Sequence, residues 1–340
     1  IIFADDFEYL TPEKFEKLKE DCKNYSDDKI KLFAGFSIRN NVGNYMIFYG
    51  KNPVWPLDKV LTKDKKRIYI QQEDEKGNYT GYVTPFLDWV LSHYNHNANV
   101  CYYNFSGSKG GQQMSDLKLY ASAGVRYYKE GKLVEDLTDE YLKTAQCTIA
   151  PNPVSVNEVY SADKLKGEID NNNALTYVLA RNIDTLFDDG LRWTHQYDGV
   201  NVFNSNGPLI YAWPWCHRVI TYGGEEFVTG ISVMPSYIDV KSGLGLKEIR
   251  IYNGKELFRR FKFNGEKEFT QTLVLDGTTQ KNLVLVAEDI KGGKAVSFPR
   301  RCWKDGALGV TFCSDHVNSY IDGLLPLAHG PCWYPINRNP

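Results

Sequence analysis

From about residue 190 to residue 290, apolar and polar residues alternate with a period of two, in short runs separated by turn residues. That period belongs to half-buried strands and not to helices. Strands are predicted over 227–233, 236–240, 246–252, 256–263, 268–275 and 282–288. Asn253-Gly254 and Asn264-Gly265 fall between such runs. Asn-Gly between alternating apolar segments is the strongest short-range hairpin signal. Lys291-Gly292-Gly293-Lys294 supplies a third turn. Many short strands with regular turns predict a β-sandwich.

The first half of the chain is organised differently. Ile1-Ile2-Phe3-Ala4 reads as a buried strand that ends at Asp5-Asp6. Thr11 is placed to cap a helix with Pro12 in its first turn, and Phe15, Leu18 and Cys22 form one apolar stripe. Strands are predicted over 31–34, 45–49, 100–105 and 124–128, and helices over 83–93, 116–120 and 139–144. Pro151-Asn152-Pro153 punctuates the chain. Two further helices, 161–169 and 173–187, are expected beyond it. Strand–helix alternation predicts an α/β fold with a parallel sheet or barrel. The expected division is an α/β region over 1–190, a β-sandwich over 191–320 and a C-terminal extension over 321–340.

Bulk properties exclude several functions. The 340 residues carry a net charge of −2, so the basic excess of a nucleic-acid binder is absent. Lys63-Asp64-Lys65-Lys66-Arg67 reads as a solvated loop. No apolar run is long enough to span a bilayer as a helix. Ile1-Ile2-Phe3 resembles a strand already under way, so the chain is expected to be part of a longer polypeptide. The seven cysteines include no CxxC pair. Cys302 and Cys313 are either a cross-strand bridge or buried free thiols.

Three phrases then stand out in order. They are Asn204-Ser205-Asn206-Gly207-Pro208-Leu209-Ile210, the strand Leu246–Asn253 ending in Asn253-Gly254, and Asp289-Ile290-Lys291-Gly292-Gly293-Lys294-Ala295-Val296-Ser297-Phe298-Pro299. Together they resemble the C-terminal region of PHP-type metal-dependent hydrolases of the CehA/McbA-like group. The resemblance implies a distorted PHP/TIM-like barrel remnant before the β-domain. It places Asp5 and Asp6 where the family carries metal-binding Asp-His. It also places Ser37 on the bridging acid and Tyr45 and Tyr103 on histidines. Serine and neutral tyrosine are poor ligands for the two or three metals of that chemistry. The implied function is therefore a divergent, non-catalytic PHP-like protein with a binding or structural role and no cofactor. The alternative is an active hydrolase of phosphoesters or related esters, holding zinc, manganese or iron.

Other residues carry weaker signals. His93 and His96 share a helical face at the spacing of a two-histidine metal site, but no nearby Cys or acid supplies a third ligand and a surface helix end is the alternative; in the hydrolase reading Asp5 joins His93 or His96 as a metal ligand. Asp5 and Asp6 are candidates for acid–base work, although neighbours on a strand point opposite ways. No nucleophile elbow accompanies His195 or His316, and Ser106–Gly111 lacks phosphate-loop spacing. Tyr211, Trp213 and Trp215 form the densest aromatic patch. Such rings suit glycans, which makes a carbohydrate-binding or carbohydrate-active protein a further alternative, or protein partners, or else a sandwich core. A protein partner, self-association and an extracytoplasmic, secreted location are the accompanying expectations.

Overall fold

The computed structural model describes residues 1–6, 9–39, 45–50, 71–73, 79–82, 99–103, 122–144, 152–161, 163, 173–178, 202–212, 221–223, 226–228, 233–276 and 283–299. Of these, 56% lie in strands, and the helices are two short ones. The chain divides into two units, residues 1–173 with 178–194, and residues 174–177 with 195–340.

In the first unit, strand β1 (Ile2–Asp6) is followed by helix α1 (Pro12–Asn24) and β2 (Phe33–Arg39). β1 and β2 pair in parallel, Ile2 with Phe33 through Asp6 with Ser37. Thr11 caps α1 as expected, its hydroxyl accepting from the Lys14 amide at 3.3 Å. Phe15, fully buried on α1, meets Phe36 edge-on at 5.5 Å, and Phe36 stacks on Phe48 at 5.0 Å. That aromatic column fastens the helix to the sheet. The sheet continues through β3 (Tyr45–Tyr49), a β4–β5 ribbon apart (Gln71–Glu73, Tyr79–Tyr82), β6 (Asn99–Tyr103), β7 (Ser122–Lys129), β8 (Lys132–Asp136) and β9 (Asn152–Glu158). Helix α2 (Thr138–Thr144) follows β8, and Leu137 at its entry packs against Ile47 and Tyr49.

This sheet corrects the barrel expectation. β3 runs antiparallel to both β2 and β6, while β7 runs parallel to its neighbours β6 and β9. The result is an open, mixed, seven-stranded sheet, and no closed barrel forms among the described residues. A TIM-like barrel needs parallel strands throughout. The α/β barrel remnant and the PHP-like α/β fold that the resemblance implies are set aside. Secretion and carbohydrate binding gain no support from the fold. β9 begins within Pro151-Asn152-Pro153, where the sequence predicts a break between elements. It pairs only with β7 among the described residues, and an edge strand tolerates a proline.

The second unit contains all but the last residue of β10 (Leu175–Val178), where a helix over 173–187 was expected, and β11 (Val202–Ser205). A six-stranded sheet runs β10-β11-β20-β19-β16-β17, with β16 Leu246–Asn253, β17 Glu256–Lys262, β19 Leu283–Asp289 and β20 Lys294–Ser297. A three-stranded sheet runs β12 (Leu209–Ala212), β15 (Val233–Lys241) and β18 (Glu268–Asp276). A separate ribbon joins β13 (Thr221–Gly223) and β14 (Glu226–Val228). Ile210, Ile238 and Val240 of the small sheet share one buried cluster with Leu246, Ile249, Ile251, Leu283 and Leu285 of the large one. Two sheets closing over one apolar layer form a β-sandwich.

The two Asn-Gly pairs do different jobs. Asn253 pairs with Glu256 across a two-residue loop, Gly254-Lys255, with Gly254 at φ 61°. Glycine first in a two-residue loop is the type II′ pattern. Asn264-Gly265 does not close a hairpin, because β17 and β18 lie in different sheets. Here the β15–β16 and β17–β18 connections run side by side. Ser242 donates to Lys267 at 2.8 Å, Leu246 to Glu266 at 2.7 Å, Gly265 to Leu246 at 3.0 Å and Phe263 to Lys247 at 2.9 Å. One long antiparallel ribbon thus folds over from one sheet to the other. Gly245 and Gly265 sit at the fold with φ of 98° and 97°. A β-carbon on Gly245 would stand 2.5 Å from the Gly265 carbonyl oxygen. Among the described residues, no helix is long and apolar enough to cross a membrane.

Candidate functional site

A cleft of about 620 Å³ opens where β1 ends and α1 begins, lined by Asp5, Asp6, Tyr9, Leu10, Glu13, Lys14 and Lys17. Its position follows from the β1–α1–β2 unit, since ligands of such units collect at the carboxyl ends of parallel strands. The turn out of β1 is held by the Tyr9 amide donating to the Asp6 carbonyl at 3.0 Å. Asp5 is exposed and Asp6 half-buried, the alternation expected of a strand. Both nonetheless line the cleft, because β1 stops at Asp6 and the cleft wraps its end.

The cleft's cations are already engaged. Lys17 pairs with Asp21 at 2.6 Å, which raises the ammonium's affinity for its proton. Lys14 donates to the Tyr9 carbonyl at 3.2 Å. Glu13 is held below the ordinary carboxylate range by a hydrogen bond with the Thr11 side chain, so it stays ionised. Tyr9 is 75% exposed and offers an aromatic face beside the carboxylates. The described lining therefore presents three acids, two lysines and a ring.

Of the expected site residues, Asp5 and Asp6 come together here. His93, His96, Trp213 and Trp215 lie outside the described residues. Tyr211 stands in a bulge of β12, 57% exposed, with the Lys241 ammonium 5.5 Å from its ring centre. It is not a core aromatic. Among the described residues, no three of His, Cys, Asp and Glu gather as a metal-ligand set. The donors seen here do not fit the multinuclear zinc, manganese or iron centre implied by the resemblance. Cys22 is a buried free thiol whose burial pushes its pKa up, which makes it a poor nucleophile. Sequence reasoning missed Tyr9, Leu10, Glu13, Lys14 and Lys17. The available signal was the capped helix start so soon after Asp5-Asp6, which returns the first helical turns to the strand end.

The phrases that carried the resemblance meet in space. The Asn206 side-chain carbonyl accepts from the Lys294 amide at 2.8 Å, and Asn206 donates its own amide to the Lys294 carbonyl at 3.2 Å. Buried Asp289 accepts from the amides of Lys291 and Gly293 at 2.8 and 2.9 Å. Ile290 donates to the Gly245 carbonyl at 3.0 Å, bringing in the start of β16. Within this unit the phrases form a packing knot and no open site. Compared with protein-family models, with curated proteins and with solved structures, the chain matches none.

Proposed function

We propose that the chain is a non-catalytic binding protein whose ligand site is the β1–α1 cleft. The ligand is a small solute carrying an ammonium group. The observation that supports this is the lining itself: three carboxylates against two lysines, one of them paired with Asp21 outside the lining, and an exposed tyrosine ring. A carboxylate offers a charge-assisted hydrogen bond to an ammonium, and the face of a tyrosine adds a cation–π contact. The described lining has no histidine or cysteine for nucleophilic or soft-metal chemistry.

The test is titration calorimetry of the 340-residue chain against a panel of small amines and matched carboxylates. Amines are expected to bind and carboxylates not to. Asp5→Asn should weaken the best amine by about 1.5–3 kcal/mol, the worth of a hydrogen bond to a charged group. Preference for carboxylates, or an Asp5→Asn variant that binds amines as well as the parent, would contradict the assignment.

A further inference from the structure

The two sheets of the sandwich have four edge strands among the described residues: β10 and β12 are four residues each, and the two long ones, β17 and β18, differ in character. β17 ends the large sheet among the described residues. It carries exposed Arg259, Arg260 and Lys262, and a bulge breaks its register between Ile251 and Tyr252 of β16. Charges and bulges are the devices by which edges avoid pairing with other chains. β18 ends the small sheet; it has no bulge, and its only charges are Glu268 and Asp276 at its two ends. Its nine residues pair with β15 without a register shift, from Val233 with Asp276 to Lys241 with Glu268. From Phe269 to Leu275 the strand carries no charge, proline or glycine, and Thr270, Gln271 and Thr272 are exposed. Among the described residues nothing pairs with its far side.

We infer that the free edge of β18 is a self-association surface. It takes β18 of a second copy of this chain, antiparallel across a twofold axis, and so joins two small sheets into one of six strands. Charge selects the copy and the register. A β17–β17 pairing would set arginines and lysines against their like, whereas the neutral run of β18 opposes nothing. Centred on Thr270, the pairing sets Thr270 against Thr270 and Glu268 against Thr272 of the other copy, so no carboxylate faces a carboxylate. Threonine pairs and uncharged neighbours suit a cross-strand contact, and like charges directly opposite do not.

The experiment is sedimentation velocity of the full chain over a concentration series, with two variants. The parent is expected to show a monomer–dimer equilibrium. Thr270→Lys sets two ammonium groups face to face and should raise the dimer dissociation constant at least about tenfold. Thr270 is exposed, so the variant should melt with the parent at dilution. Arg259→Gln, on the other edge, should dimerise like the parent. A parent that stays monomeric at every concentration overturns the proposal. So does a Thr270→Lys variant that dimerises undiminished, or an Arg259→Gln variant that becomes monomeric.

Discussion

Gly207 and Gly293 face each other across the carboxylate of Asp289. A β-carbon on Gly293 would lie 2.5 Å from Asp289 Oδ2 and 2.9 Å from the Gly207 α-carbon. A β-carbon on Gly243, at the β15–β16 connection, would meet nothing within 4 Å. Gly293→Ala should therefore destabilise the fold by about 1–3 kcal/mol, the usual cost of overpacking. Gly243→Ala should leave stability unchanged or raise it by about 0.4–1 kcal/mol through the unfolded chain. Chemical denaturation of both variants checks this, and equal losses would refute the packing account. These residues were visible in the sequence as members of conspicuous phrases. Their role was not, because the contact between Asn206 and Lys294 spans 88 positions. No local pattern encodes that distance.

At the scale of elements, turn chemistry was legible up to a point. The β16–β17 hairpin follows from Asn253-Gly254. Asn264-Gly265 deceived because a hairpin turn and a sheet-switching corner both require a glycine at positive φ. β10 was mistaken for helix because Leu175 and Val178 suit either period over so short a run. β9 was missed because Pro153 was counted as a breaker, which holds for a central strand and not for an edge. The sandwich has a consequence of its own. Ile238 and Ile249 come from opposite sheets but share one cluster. Truncating either to alanine should cost about 2–5 kcal/mol. In calorimetry, each variant should move the same transition of the β-unit. Separate transitions for the two sheets would contradict a shared core.

At the scale of the whole molecule, the sequence made the β-rich second half plain, since period-two alternation recurs in strand after strand. The first half was half legible. β1 and α1 were foreseen and β2 only at its start, 31–34 against Phe33–Arg39; they do form a parallel unit, but a barrel was the wrong closure. The direction of β3 decides it, and direction depends on long-range pairing that helix–strand alternation does not report. Of the candidate site, Asp5 and Asp6 were foreseen as acids at a strand end. The cleft they share with Tyr9 and Glu13 needed α1 folded back over β2. The central claim is that this cleft holds a small amine. Hydrogen–deuterium exchange of the full chain, with and without a saturating amine from the binding panel, tests it most directly. Slowed exchange confined to residues 5–17 is the predicted result. Unchanged exchange there, or protection centred elsewhere, would contradict it.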